Sequence, residues 1–181
     1  LGFGGRAPGY VAATEEWNTG VAVGAWVTGG ALNVPRSEHA GSGTKTAALS
    51  FGGRNPVEGQ TETYNGTAWT SVNNMNNARA QLMGSGTQTS TLASGGEPAL
   101  TVTETWNGTN WTEVSDLNTG KYASGAAGVS NTSSLVFGGR TPPYTTTTES
   151  WDGSSWTEVN DMNTARGYLG GTGTKTAALA F

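Results

Sequence analysis

The sequence predicts an all-β fold assembled from repeated four-stranded units. Three observations carry that expectation. A phrase of the form Thr-Glu-x-aromatic, turn, Trp-Thr-x-Val recurs as TETYNGTAWTSV at Thr61–Val72, TETWNGTNWTEV at Thr103–Val114 and TESWDGSSWTEV at Thr148–Val159, with a variant, TEEWNTGVAVGAWV, at Thr14–Val27. Glycine pairs recur at Gly4-Gly5, Gly52-Gly53, Gly95-Gly96 and Gly138-Gly139, spaced by 48, 43 and 43 residues. Helical periodicity is absent, whereas Thr- and aromatic-rich segments suit a pleated, half-buried surface.

Each unit contains four strand-sized pieces. In the second they are a small-residue strand a around Gly41–Thr44, an apolar strand b at Ala47–Gly52, strand c at Thr61–Tyr64 and strand d at Ala68–Val72. Glycines in a and b permit close backbone approach near a crowded axis. Between c and d, Asn107-Gly108 reads as a two-residue type I′ turn, because both residues tolerate positive φ. That register sets Trp106 opposite Thr109 and Glu104 opposite Trp111, with Glu104, Trp106 and Trp111 on one face.

Other positions keep the same step. Glu15, Glu62, Glu104 and Glu149 align, as do Trp26, Trp69, Trp111 and Trp156. Ten residues beyond each of those tryptophans stands a cation, Arg36, Arg79, Lys121 or Arg166, and seven further on a glycine, Gly43, Gly86, Gly128 or Gly173. The residues divide into repeats 3–50, 51–93, 94–136 and 137–181, forming one domain over 1–181. Units of this length with four strands match the blades of a β-propeller.

The pattern resembles the kelch repeat: a cation opening strand a, an apolar strand b ending in Gly-Gly, a Glu-x-aromatic strand c and a Trp in strand d. The run Gly138-Gly139, Glu149-Ser150-Trp151, Trp156, Met162, Arg166 to Phe181 shows it, as does Pro35-Arg36 before strand a. The resemblance covers the whole chain and departs from the family in its short Asn-Gly c–d turn. The wording NGT-x-WTEV is also similar to kelch-like repeats in structural proteins of marine bacteriophages. The resemblance implies a propeller of four four-stranded blades. Its closing blade would be shared by the two ends, strands a and b of Gly170–Phe181 lying beside c and d of Thr14–Val27; the alternative is a four-repeat piece of a larger ring. Leu1 in place of an initiating Met is consistent with a processed product or a piece of a longer protein.

Composition excludes several function classes. Charged residues make up 12% and the net charge is −4, so the basic footprint of a nucleic-acid binder is missing. No apolar run reaches the roughly 18 residues of a membrane-spanning helix. The chain has no cysteine and a single histidine, His39, whose equivalents in the other repeats are Leu82, Ser124 and Leu169, so a catalytic triad or a multi-histidine metal site is not expected. No phosphate-binding glycine loop leads into a helix. No cofactor or metal is expected.

Recurrent residues read first as architecture. Trp26, Trp69, Trp111 and Trp156 each bury ~150–250 Å² against a neighbouring blade rather than forming sugar-stacking platforms. Glu15, Glu62, Glu104 and Glu149 pair with Arg36, Arg79, Lys121 and Arg166 rather than forming a carboxylate ring for metal or acid–base chemistry. Asn65, Asn107, Asn110 and Asn131 head Asn-x-Ser/Thr sequences. Asp152 in the last hairpin keeps the turn chemistry and loses the glycosylation acceptor, which favours the turn reading.

Function is sought where the repeats differ. The b–c loops, Arg6–Ala13, Arg54–Gln60, Glu97–Val102 and Arg140–Thr147, vary in length and content. Variable loops on a rigid scaffold are where binding concentrates. Arg6, Tyr10, Arg54, Arg140 and Tyr144 are therefore the candidate binding residues. The expected role is a non-catalytic structural or binding module of a virion, in a tail or surface appendage. Its partners would be other virion proteins or a cell-surface receptor or glycan, in a larger assembly, without nucleic acid or membrane insertion. The rival expectation is a secreted carbohydrate-binding protein.

Overall fold

A computed structural model describes residues 2–3, 9, 11–18, 25–54 and 56–181. The described residues form strands and loops without a helix. The strands are β1 (Gly2–Phe3), β2 (Thr14–Asn18), β3 (Ala25–Gly29), β4 (Ala40–Thr44), β5 (Ala47–Phe51), β6 (Thr61–Tyr64), β7 (Trp69–Val72), β8 (Met83–Thr87), β9 (Ser90–Ser94), β10 (Thr103–Trp106), β11 (Trp111–Val114), β12 (Gly125–Ser130), β13 (Ser133–Phe137), β14 (Thr148–Trp151), β15 (Trp156–Val159), β16 (Gly171–Thr174) and β17 (Ala177–Ala180). Three antiparallel four-stranded meanders, β4–β7, β8–β11 and β12–β15, follow one another like blades. A three-stranded sheet, β1–β2–β3, precedes them and a two-stranded sheet, β16–β17, follows.

Strands a to d of each unit fall where the repeat pattern predicts, but the c–d hairpin has a different register. Trp106 pairs with Trp111 and Glu104 with Glu113, leaving a four-residue connection, Asn107 to Asn110. Asn107 Oδ1 accepts the amides of Thr109 and Asn110 at 2.9 and 2.8 Å. Gly108 has φ 94° whereas Asn107 is not left-handed, so a type I′ turn, which needs positive φ at both central residues, is not formed. The side-chain oxygen stabilises the longer loop by satisfying two donors at once. Glu104, Trp106 and Trp111 still share a face, and the two indoles lie 5.4 Å apart, tilted by 44°.

The sheets stack through repeated contacts. Between the second and third blades, Leu49, Phe51 and Met75 pack on Ala93, Trp106 and Trp111. Between the third and fourth, Met83, Leu92 and Leu117 pack on Val136, Trp151 and Trp156. Three strand-d tryptophans also donate Nε1–H to a strand-c threonine of the preceding sheet: Trp69 to Thr14 at 2.9 Å, Trp111 to Thr61 at 2.9 Å and Trp156 to Thr103 at 3.1 Å. The indole thus buries its large apolar surface without orphaning its donor. The inner strands β4, β8, β12 and β16 line one shared central cavity through Gly41, Gly84, Gly128 and Gly171. Small residues are required here: a Cβ on Gly84 would lie 2.6 Å from the Phe51 ring.

Among the described residues, a single closing blade shared by the two ends is not formed. Strand β17 pairs with β16 alone. The corresponding edge of β2 is taken by Gly2–Phe3, with Phe3 opposite Thr14 just as Phe51 stands opposite Thr61. The end of a b strand already occupies the register that β17 would need.

Asp152, which replaces asparagine in the last hairpin, accepts the Ser155 and Ser154 amides, each at 2.8 Å. These amides, with the Ser154 hydroxyl, pull its carboxyl from the ordinary 3.8 down to about 2. A depressed folded-state value stabilises the fold above the unfolded-state value and is lost as pH falls toward the folded one. Asp152→Asn keeps the turn, as Asn65 and Asn107 do. Thermal melts of the two proteins should therefore converge or cross as pH falls from 4 to about 2, with the parent losing more Tm over that interval. Parallel slopes would show that Asp152 contributes no such linkage.

Candidate functional site

The recurrent carboxylates lie in the sheets as buried nodes. Glu62 Oε1 meets Arg36 Nη2 at 3.0 Å, Glu149 Oε1 meets Lys121 Nζ at 3.1 Å, and Glu104 pairs with Arg79. All six side chains are at most 1% exposed. The second carboxylate oxygen caps the d–a turn: Glu104 Oε2 accepts Asn76 N at 2.8 Å and Asn76 Nδ2 at 3.0 Å, with Asn33 and Asn118 serving Glu62 and Glu149 alike. Arg79 further donates to the carbonyls of Asn77 and Gly95 at 3.0 and 2.8 Å. Burial pulls the Arg36 and Arg79 guanidiniums below their ordinary value, and the paired glutamates oppose it. The outermost members differ: Glu15 and Arg166 are both exposed. Among the described residues no group of three or more His, Cys, Asp or Glu side chains is placed to hold a metal ion.

Trp69, Trp111 and Trp156 are 5–6% exposed in the inter-sheet contacts. For Trp26 the backbone alone is described, in β3 opposite Trp17.

Among the described residues, the d–a loops and the b–c loops after β5, β9 and β13 converge at one end of the shared cavity. Four residues there, Glu38, Gln81, Ala123 and Tyr168, have positive φ of 56, 53, 51 and 58° without being glycine. Each stands two residues after the repeat's cation. They are joined in a chain of backbone hydrogen bonds: Gln81 N to Glu38 O at 2.8 Å, Ala123 N to Gln81 O at 3.0 Å and Tyr168 N to Ala123 O at 2.6 Å. A left-handed conformation costs a bulky residue of order 1–3 kcal/mol, and here it aims each amide at the neighbouring blade's carbonyl. The same four residues, with His39 and Leu82, line a cavity of about 220 Å³.

Around this mouth the candidate residues fall into different situations. Arg54 is committed within the protein: its Nε donates to Glu38 Oε2 at 2.8 Å and its Nη2 pairs with Glu97, while Gln81 Nε2 donates to the same Glu38 oxygen at 3.0 Å. Arg140 lies between two tyrosine rings, 5.5 Å from the Tyr122 centroid and 5.4 Å from that of Tyr144. Backbone bridges from Arg140 to both tyrosines impose that arrangement. Contact with Tyr168 first, then Tyr122, holds the guanidinium above its ordinary value, so it is a permanent cation. Tyr144 and Tyr168 are exposed at 48% and 63%. Arg6 and Tyr10 lie outside the described residues. Loop comparison in the sequence leaves out Glu38, Gln81, Tyr122 and Tyr168; their signal is a position that varies at a fixed offset from an almost invariant cation.

No protein-family model matches the chain, and no curated protein matches it.

Removing one partner of a buried ion pair leaves an uncompensated charge, a loss of about 3–5 kcal/mol. Glu104→Gln should lower stability by about that amount, read as a shift in the denaturant midpoint, because it strands Arg79. Adding Arg79→Met should recover part of the loss. A single variant as stable as the parent would remove the node from any role in folding.

Proposed function

We propose that the chain is a non-catalytic binding module of the propeller type, built of kelch-like blades, and that it serves as a structural component of a virion, in a tail or surface appendage. The observation that carries the binding reading is the loop-lined mouth, where Arg140 is sandwiched between Tyr122 and Tyr144 beside the exposed Tyr168. A guanidinium beside aromatic rings keeps its charge and its planar fork of donors, which suits a carboxylate or a peptide carbonyl. Tyrosines add large contact area with little rotamer entropy to lose. The virion reading rests on the Thr-, Asn- and Gly-rich repeats and their resemblance to phage structural proteins. The exposed rings of Tyr144 and Tyr168 favour one second reading, a glycan-binding module.

Peptides of this chain should be found by mass spectrometry in density-purified virus particles from its source, and not only in the soluble fraction. On arrays of virion proteins and of glycans, the parent should bind a protein partner. Arg140→Ala and Tyr144→Ala should each weaken that binding about tenfold or more, as truncating a hot-spot anchor does, with thermal stability nearly unchanged. Uniform binding to one glycan would favour the second reading. Binding that survives both substitutions would place the contact elsewhere.

A further inference from the structure

The loops at the mouth build one arginine seat twice, and only the first has a carboxylate of its own. Arg54 and Arg140 each follow the glycine pair that ends a strand b. Each exchanges two backbone hydrogen bonds with a d–a loop residue: Arg54 with Ser37 at 2.8 and 3.4 Å, Arg140 with Tyr122 at 2.9 and 3.1 Å. The next residue of that loop is Glu38 in the first case and Ala123 in the second, with φ of 56° and 51°. The two arginines thus face equivalent positions on equivalent backbones.

At the first seat, Glu38 Oε2 accepts Arg54 Nε at 2.8 Å and Gln81 Nε2, from the following d–a loop, at 3.0 Å. At the second seat, Ala123 offers a methyl group in place of that carboxylate. Arg140 Nε is buried and meets no acceptor among the described residues. Tyr168 stands where Gln81 stands, since Tyr168 N bonds Ala123 O as Gln81 N bonds Glu38 O. It too brings a donor, a hydroxyl in contact with the Arg140 guanidinium. The short side chain leaves room: Ala123 and Tyr168 both line the cavity of about 220 Å³. The second seat therefore keeps both donors and lacks the anion. A buried donor without an acceptor is costly, and a charged one more so.

We propose that this second seat binds the carboxylate of an acidic side chain of a protein partner, with Arg140 Nε and the Tyr168 hydroxyl as its donors. The inference rests on the reading of the mouth as a binding surface and adds the chemical group that is bound. A glutamate side chain is the occupant whose fit the fold already displays, in Glu38 on Arg54. The Tyr122 and Tyr144 rings beside the guanidinium replace part of its water, which strengthens a charge-assisted hydrogen bond made there.

The Arg140 Nε–H signal in a nitrogen–proton correlation spectrum reads the seat directly, and its loss in Arg140→Lys assigns it. Titrating the full chain with acetyl-Gly-Glu-Gly-amide should move that signal downfield to saturation, while the Arg54 signal, already bonded to Glu38, stays in place. Acetyl-Gly-Gln-Gly-amide should bind about tenfold or more weakly, the loss expected when a hydrogen bond to a charged group becomes a neutral one. Ala123→Glu recreates the Glu38 arrangement and should close the seat from within. Its Arg140 signal should lie downfield before any peptide is added, its affinity for the glutamyl peptide should fall about tenfold or more, and its thermal midpoint should match or exceed the parent's.

An equal response to the two peptides, or an Arg140 signal that the glutamyl peptide leaves unmoved, would overturn the proposal without recourse to a variant. So would a folded Ala123→Glu protein that binds the peptide as the parent does. Propionate bound as tightly as the glutamyl peptide would overturn the assignment to a partner's side chain in favour of a free acid. A protein partner lost by Arg140→Ala and kept by Ala123→Glu would overturn the carboxylate seat and leave the mouth as the binding surface. A peptide response from a chain that captures no virion protein would support the seat and count against the virion reading alone.

Discussion

The structure depends on a buried carboxylate that does three jobs. Glu104 pairs with Arg79, accepts the Asn76 backbone amide and accepts the Asn76 side chain. The cation comes from the loop that enters the blade, the carboxylate from strand c, and the carbonyls that take the remaining guanidinium donors from Asn77, strand b and the residue after it. One node therefore fixes how the incoming loop meets two strands. Dehydrating two charges is costly, and their attraction offsets that cost only with good geometry and satisfied remaining donors. The carbonyl and asparagine contacts supply both. A blade with few large aliphatic side chains gains its register from this node, because a one-residue slip would leave a charge buried without its partner.

Junctions between blades are held in a second, independent way. Indoles donate to threonines of the preceding sheet at mid-blade. Near the axis, backbone amides bridge Glu38, Gln81, Ala123 and Tyr168. The backbone bonds of the second contact need no particular side chain, so the chain tolerates a carboxylate, an amide, a methyl and a phenol at equivalent positions, with Gln81 Nε2 adding a bond to Glu38 Oε2 at 3.0 Å. Variation is concentrated where backbone hydrogen bonds hold neighbouring blades together, and that freedom lets the mouth acquire its own chemistry without loss of fold.

Much of the architecture was legible because it is periodic. The four strands of each unit, the aligned glutamates and cations and the stacking tryptophans all recur, and recurrence separates them from chance. The c–d register was misread because Asn-Gly serves two turn geometries, and the choice is made by Asn107 Oδ1 reaching the amides of Thr109 and Asn110. The shared closing blade fails among the described residues because Gly2–Phe3, legible as the end of a b strand, itself pairs with β2 where β17 would have to lie. At the mouth, Arg140 and Tyr144 were legible as loop variation. Tyr122 and Tyr168 were not, since they sit beside recurrent positions and are brought to Arg140 by bridges between loops. Arg54 shows the converse: a variable-loop arginine that sequence marks as available is engaged by Glu38 and Glu97.

The two ends of the central axis differ in what their polar groups have left to offer. On the c–d side, the oxygens of Asn65, Asn107 and Asp152 are occupied by the amides of their own turns. The Asn107–Asn110 connection is also tied to the preceding sheet, with Asn73, just past β7, donating from Nδ2 to Thr109 O at 3.0 Å and Asn110 Oδ1 at 2.9 Å. A partner approaching that side would have to break contacts that hold hairpins in shape. On the loop-lined side, the backbone supplies the cohesion and Arg140 presents a guanidinium whose charge is stabilised by rings rather than cancelled by a carboxylate. A cation held by π-faces keeps its hydrogen-bonding plane and its positive potential. The same repeat thus commits the described polar groups of one end to their own turns and leaves the other end free to differ from blade to blade.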